Sequence, residues 1–411
     1  MHKRIVVTGL GVISPLGNNV SDFWNNLKSS KNGIKKINHF DVSNFDIKVA
    51  GFISDFNLNE FVKTKLSLKF DNFIQYGLAA GIQAIQDSNI IFNKKINKND
   101  IGVVMGSGIC GLNSIENNYR SFLQEGYKGV RSNLITNCII NTTGGYLSIL
   151  HGFTGPNISV STACATGGHS ICLAEQLIRQ DRAKIVIAGS SEYATTPFVI
   201  SGFLALKTLS KNSNPETASR PWDLKRDGFV VSDGAACIVL EEYEHAINRD
   251  CNIYAELIGT SFNSDSYHIV RANPSGDGIY SCMKNVIDSY GLKISDIDYI
   301  NAHATSTLRG DLSEGNAISR LLFNNNKNIP VSSTKSLTGH LLGASGSLEA
   351  LITILCLKNQ FIISNHNLEN EDKSFSKLNL IKKNIKSNLK YVISNSLGFG
   401  GVNSVVLFKK L

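Results

Sequence analysis

The sequence predicts an α/β protein built from two similar halves packed as one body. Three observations predict it. Strand-like runs alternate with helical runs along the whole chain, the pattern of α/β architecture. The pattern restarts near Ile253, which divides the chain into residues 1–250 and 251–411. The stretch Ile158-Ser159-Val160-Ser161-Thr162-Ala163-Cys164 is echoed by Ile329-Pro330-Val331-Ser332-Ser333-Thr334-Lys335-Ser336. Both are strand-like, end in Ser or Thr and run into a glycine-rich helix start, which points to duplication.

The elements follow in order. Residues 5–8 read as a first strand that stops at Gly9-Leu10-Gly11, and Ser21 is placed to cap a short helix. Residues 73–85 are small and apolar enough for a buried helix. Residues 101–105 form a strand that ends in Gly106-Ser107-Gly108-Ile109-Cys110-Gly111. This resembles a phosphate-cradling loop, although glycines also mark any tight turn. Strands follow at 184–188 and 235–240. In the second half a strand at 253–258, a helix at 278–290 and a strand at 297–302 precede helices at 312–322 and 342–357. Strands at 392–394 and 404–407 close the chain around a glycine turn. No linker rich in Pro, Ser or Gly separates the halves.

Composition narrows the function classes. The 411 residues are 42% hydrophobic and 18% charged, an ordinary globular balance. Eight cysteines without any CxxC pair indicate neither a zinc knuckle nor a disulfide framework, so a reducing cytoplasm fits best. The net charge of +8 suits an acidic partner or reflects a biased surface. Nucleic acid is not indicated, because basic and aromatic residues do not interleave. No apolar run reaches membrane-spanning length. Met1-His2-Lys3-Arg4 leads straight into a strand, so no signal peptide is expected.

Chemistry concentrates at a few places. Residues 158–163 read as a buried strand, and Ile171, Leu173, Ala174, Leu177 and Ile178 as a helix, so Cys164 falls at a sharp strand-to-helix turn. The positive end of the helix dipole there favours thiolate over thiol, and small neighbours leave room for a substrate. The residue reads either as a covalent nucleophile or as a small buried core cysteine. His303 ends an apolar strand in Asn301-Ala302-His303-Ala304-Thr305-Ser306-Thr307. His340 sits in Lys335-Ser336-Leu337-Thr338-Gly339-His340 at a helix start. Both lie at strand–helix transitions, where open α/β sheets place sites. Neutral imidazoles there stabilise an oxyanion or enolate or act as bases; ordinary capping histidines read the same way. Lys335 can bias a histidine's protonation and pair with Glu349. In Asn395-Ser396-Leu397-Gly398-Phe399-Gly400-Gly401-Val402-Asn403, Phe399 among glycines is either a mobile gate or a packed hairpin residue. Lys63, Lys65 and Lys69 cluster, with Lys207 elsewhere, as an acidic-protein docking patch or a solvated face.

Taken together, these motifs resemble the β-ketoacyl-[acyl carrier protein] synthases of the thiolase-like superfamily, the type II elongating condensing enzymes among them. The resemblance covers nearly the whole chain. It includes Val7-Thr8-Gly9-Leu10-Gly11, Thr162-Ala163-Cys164, Ser219-Arg220-Pro221-Trp222-Asp223, Arg226-Asp227-Gly228-Phe229, the two histidine motifs and Gly398-Phe399-Gly400-Gly401. It implies a five-layered αβαβα fold of two duplicated halves, usually a homodimer. Cys164 would carry an acyl chain taken from acyl carrier protein. His303 and His340 would stabilise the enolate left by decarboxylation of malonyl-carrier protein, with Lys335 and Glu349 supporting them. The product would be two carbons longer. Backbone N–H groups of Cys164 and Phe399 would form the oxyanion hole, with Gly398 and Gly400 in the gating loop. Ile109 and Phe203 would line the acyl pocket, Thr305 and Thr307 would bind substrate, and Lys65, Lys69 and Lys207 would face the carrier. No cofactor or metal is implied beyond the carrier's phosphopantetheine.

The chain also departs from the family pattern. Ala304 stands where Gly is usual, Leu308 where Pro is, Leu397 where Phe is, Val402 where Thr is, and Val270 replaces a threonine near the pantetheine arm. The departures bear on substrate choice, and a condensing subunit of a specialised polyene or polyketide pathway is the alternative. A non-catalytic chain-length partner fits poorly, because such partners lose the cysteine.

Overall fold

A computed structural model describes residues 3–62, 70–91, 96–323 and 327–411. Ten strands carry the architecture. The first half contributes β1 (Ile5–Ile13), β2 (Ile101–Gly106), β3 (Asn157–Ile158), β4 (Ile185–Glu192) and β5 (Gly234–Glu242). The second contributes β6 (Ala255–Ser264), β7 (Ile297–Asn301), β8 (Pro330–Ser332), β9 (Tyr391–Gly398) and β10 (Val402–Lys409). The strand order is β3-β2-β4-β5-β1 in one half and β8-β7-β9-β10-β6 in the other. The two orders are the same when each half is counted from its own first strand. The directions agree as well: the first three strands of each order run parallel and the last two pairings are antiparallel. The echo read in the sequence therefore falls on equivalent strands, β3 and β8. Three residue pairs between β1 and β6, such as Ile5 with Leu257, join the halves into one sheet of eleven strands, with Asn379–Leu380 added at the far edge.

Helices complete five layers. The helix α1 (Asn72–Asp87) packs on the outer face of the first-half strands. Two helices, α2 (Thr166–Arg179) and α5 (Ser345–Asn359), lie between the halves and touch strands of both. The outer face of the second half is covered by α3 (Asp277–Ser289), and α4 (Leu308–Leu321) packs beside it. The central position explains the composition of α5. Every residue from Ser345 to Leu357 is buried, as a helix that is apolar nearly all round requires.

Glycines set two close approaches. A Cβ on Gly11 would lie 2.0 Å from the Ala80 carbonyl of α1, and one on Gly9 would lie 2.2 Å from that of Ala84. The strand does not stop at these glycines as expected. It runs on to Ile13 with a bulge between Val7 and Gly9, because the glycines admit the helix rather than a turn. In the central layer a Cβ on Gly167 would meet the Ser347 amide at 2.2 Å, and one on Gly346 the Gly168 amide at 2.5 Å. The small residues after Cys164 thus serve helix crossing, not substrate access.

Two further expectations change. The strand before Cys164 is short: only Asn157 and Ile158 pair with β2, both are exposed, and Val160 to Ser161 leave the sheet. As the outermost strand it has one neighbour, and its chain must turn inward to reach the central layer. The first helix, Val20–Lys28, is capped by Asn19, whose side chain accepts from the Asp22 amide, and Ser21 lies inside it.

Candidate active site

The cysteine sits between β3 and α2. Ala163 holds the left-handed φ of +49°, a strained value for a residue with a side chain, and this turns Cys164 into the interior. Its sulfur lies 3.1 Å from His340 Nε2. The other ring nitrogen of His340 is 2.8 Å from Ser345 Oγ, at the start of α5. The ring of Phe229 meets His340 edge to face at 5.2 Å, and His303 approaches at 5.3 Å between ring centres. The expectation that His340 starts a helix gives way to a bridge: its N–H donates to the Val230 carbonyl, and its carbonyl accepts from Ser232. A turn at Leu342–Ala344 then precedes α5.

His303 follows β7. Its backbone N–H and that of Ala304 donate to Glu314 of α4 at 2.9 and 2.8 Å, and Asn395 of β9 donates to the same carboxylate at 2.9 Å. Lys335 is fully buried behind the histidine. Its ammonium donates to the His303 carbonyl at 2.6 Å, lies 3.4 Å from His303 Nδ1 and pairs with Glu349. The glycine loop closes the other side. A Cβ on Gly398 would lie 2.7 Å from the Thr162 carbonyl, so the loop rests on the turn that leads into Cys164. The Phe399 N–H thereby reaches the Cys164 sulfur. Gly400, at φ +87°, is anchored by donation to the Ile269 carbonyl at 2.7 Å.

Burial dominates the electrostatics. It holds both imidazoles well below the ordinary histidine value, and the Lys335 charge adds to the effect, so both rings are neutral at neutral pH. Burial also pushes the Cys164 thiol up to about 12, with Lys335 pulling back only part of it. The resting thiolate expected from the helix dipole is therefore not the stable form. The Glu349 carboxyl rises to about 7 by burial, against the pull of Lys335.

Cys164, His303 and His340 line one cavity of about 550 Å³. Phe203, Thr305, Thr307, Lys207, Gly398 and Phe399 line it too. Ile109 packs in the apolar cluster around Cys164, Phe203 and Phe229 but does not line that cavity. Lys65 and Lys69 lie outside the described residues. Of the departures noted in the sequence, Val270, Ala304, Leu308 and Leu397 line the cavity and Val402 does not. The loop after β2 is no open phosphate cradle. Gly108, Ile109 and Ser107 Oγ all donate to buried Glu192 at 2.8 to 3.2 Å, and Gly343 adds a fourth donor at 2.9 Å. Arg226 and Asp223 of the other shared motifs brace the halves: Arg226 pairs with Asp372, and Asp223 accepts from Glu369 and Asn370. Sequence reasoning missed Glu192, Glu314 and Ser345. Among the described residues no three His, Cys, Asp or Glu side chains gather as a metal site, and no helix is long and apolar enough to cross a membrane.

Comparison with known proteins bears on the fold and the family. Residues 2–246 match the family model "Beta-ketoacyl synthase, N-terminal domain" and residues 254–369 its C-terminal counterpart. The chain is 43% identical to 3-oxoacyl-[acyl-carrier-protein] synthase 2 of Vibrio harveyi, over 100% of this chain and 99% of that one. A β-ketoacyl synthase from Burkholderia phymatum superposes with a TM-score of 0.92 at 30% identity, covering all of both chains. A chain of a type II PKS acyl-carrier protein in complex with its ketosynthase, bound to a hexaketide, gives 0.92 at 29%, again over all of both chains. With its duplicated thiolase-like fold and its cysteine facing two buried imidazoles, the chain belongs to the β-ketoacyl synthase family.

Proposed function

We propose that the protein is a 3-oxoacyl-[acyl carrier protein] synthase of the elongating kind, acting in fatty acid synthesis. The observation that carries this reading is the shared cavity of Cys164, His303 and His340, with sulfur and imidazole at 3.1 Å. Acyl-carrier protein enters, and Cys164 Sγ attacks its thioester carbonyl. The thiol proton passes to His340 Nε2 and from there to the departing carrier thiolate, so the acyl chain rests on Cys164. Malonyl-carrier protein follows. Its carboxylate carbon–carbon bond breaks, CO₂ leaves, and the electron pair becomes an enolate whose oxygen accepts from N–H groups of His303 and His340. The carbanion attacks the Cys164 thioester. The Phe399 and Cys164 N–H groups stabilise the tetrahedral oxyanion, which collapses and expels the sulfur as thiolate; a proton taken up from water restores the Cys164 thiol. The Lys335–Glu349 pair keeps His303 oriented and neutral.

Other parts of this reading have their own support. Lys207, which lines the cavity, receives the acidic carrier, and Lys65 and Lys69, outside the described residues, share that role by the family resemblance. Thr305 and Thr307, whose hydroxyls lie 3.1 Å apart on the wall, hold its pantetheine amides. Phe399 gates the chamber, and Ile109 with Phe203 shapes the acyl end. The chemistry needs no metal or organic cofactor. Eight free cysteines suit a cytoplasmic enzyme. A homodimer would cover the exposed Tyr119, Phe122, Leu123, Tyr127, Ile135 and Ile149, together with the open edge at Ile158. A second reading, a condensing subunit of a specialised pathway, draws on Val270, Ala304, Leu308 and Leu397 at the cavity wall.

Intact-protein mass spectrometry and CO₂ release test the reading. Wild type gains an acyl mass from acyl-carrier protein, and Cys164→Ala gains none and does not elongate. His303→Ala keeps the acyl adduct but releases CO₂ from malonyl-carrier protein about 10²- to 10⁴-fold more slowly. Chain extension by Cys164→Ala would refute the proposal.

A further inference from the structure

A second cavity, of about 370 Å³, adjoins the first at its mouth and is lined by Tyr267, Arg271, Ala272, Pro274, Arg309 and Leu312. Arg271 and Arg309 line both cavities. They come from different parts of the second half, Arg271 from the segment after β6 and Arg309 from the first turn of α4. Both side chains are exposed, and neither guanidinium forms an ion pair among the described residues. The acidic groups that share the first cavity are engaged elsewhere. Asp227 accepts from Ser210 and the Lys211 amide, Asp265 accepts from Asn403, and Glu314 is held beneath His303. The mouth thus carries two free planar cations at the junction of two cavities, one of which leads to the nucleophile. Guanidinium forks in this setting suit a phosphate, which each can meet with two parallel N–H donors.

We propose that Arg271 and Arg309 form a phosphate clamp, which grips the phosphate at the outer end of a pantetheine thioester while the thioester end reaches Cys164. This rests on the condensing-enzyme reading. Pantetheine itself is uncharged, so a substrate arm held only by Thr305 and Thr307 would slide. A charged terminus fixed at the mouth sets how deep the sulfur sits. The same chemistry is offered by a carrier's phosphopantetheine arm and by coenzyme A. The clamp as inferred reads the phosphate next to the pantetheine, which both possess, and makes no use of a nucleotide.

The test compares thioesters that differ by one group. Rates of Cys164 acylation are measured with octanoyl-pantetheine, octanoyl-4′-phosphopantetheine and octanoyl-coenzyme A, for wild type and for the double variant Arg271→Ala, Arg309→Ala. In wild type the phosphate should raise kcat/KM by about tenfold or more, mainly through KM. In the double variant that gain should vanish, while the rate with octanoyl-pantetheine stays as in wild type. The gain should shrink as salt is raised. A phosphate gain that survives in the double variant would overturn the clamp, and so would the absence of any gain in wild type. A gain confined to octanoyl-coenzyme A would also overturn it, since the arginines would then read the nucleotide. Failure of a different kind, with wild type not acylated by octanoyl-pantetheine at all, would count against the condensing reading itself. The variant Arg271→Lys, Arg309→Lys should recover part of the gain, because charge remains while the two-pronged geometry is lost.

Discussion

Cys164 is set up as a guarded thiol. With its value pushed to about 12, the ionised fraction grows tenfold for each pH unit across the working range. Alkylation of the unloaded enzyme by iodoacetamide should therefore accelerate steadily from pH 7 to 9 with no plateau. A plateau below pH 8 would show that the helix dipole and Lys335 outweigh burial. In the proposed cycle His340 takes two hydrogen-bonding states: its Nε2 accepts from the thiol and later donates to the enolate. Ser345 Oγ, 2.8 Å from Nδ1, can accept or donate and so tolerates both tautomers. Ser345→Ala should slow turnover roughly tenfold with little change in KM, checked by steady-state kinetics with malonyl-carrier protein. Among single residues, those that the structure brings together at the cavity were legible, because Cys164, His303, His340 and Lys335 each sit in a short motif. Glu192, Glu314 and Ser345 were not. Glu192 collects backbone N–H groups from loops around residues 108 and 343, which leaves no local pattern, and its role appears only when those loops converge.

At the scale of elements, the fit of β1 against α1 depends on hydrogen atoms at two positions. Gly11→Ala would drive a methyl group to 2.0 Å from the Ala80 carbonyl, which cannot retreat without moving the helix. The variant should lose about 2–4 kcal/mol in urea unfolding, whereas Gly145→Ala, with nothing within 4 Å, should cost little. The same pair shows why element ends were misread. Glycine signals a turn when nothing touches it and a close approach when a neighbouring backbone does, and the chain alone does not say which. Long periodic runs such as α1, β5 and α5 were legible because burial repeats along them. The strand before Cys164 misled for the opposite reason: its β-branched residues suit a sheet edge that is abandoned after two pairings.

For the whole molecule, the repeated strand order confirms the duplication that a faint echo suggested. The five layers follow from it, since each half of the sheet is covered on its outer face by its own helices and the two halves share α2 and α5 between them. The exposed aromatic and aliphatic side chains around residues 115–158 predict a dimer. Light scattering at micromolar concentration should give twice the 44.8 kDa chain mass, and Tyr127→Asp with Leu123→Asp should shift it towards one chain without changing helical content. A wild type that stays single would remove this surface from consideration. The crossing of α2 and α5 at Gly167 and Gly346 has one more consequence. The first of these helices follows Cys164, and the second bears Ser345, which meets His340, and Glu349, which pairs with Lys335, so the groups on either side of the cavity are anchored to helices in backbone contact. Any drift between the ancestral repeats would carry Cys164 and the support of His340 apart, which makes the seam between them part of the site's alignment and leaves evolution little freedom to loosen it.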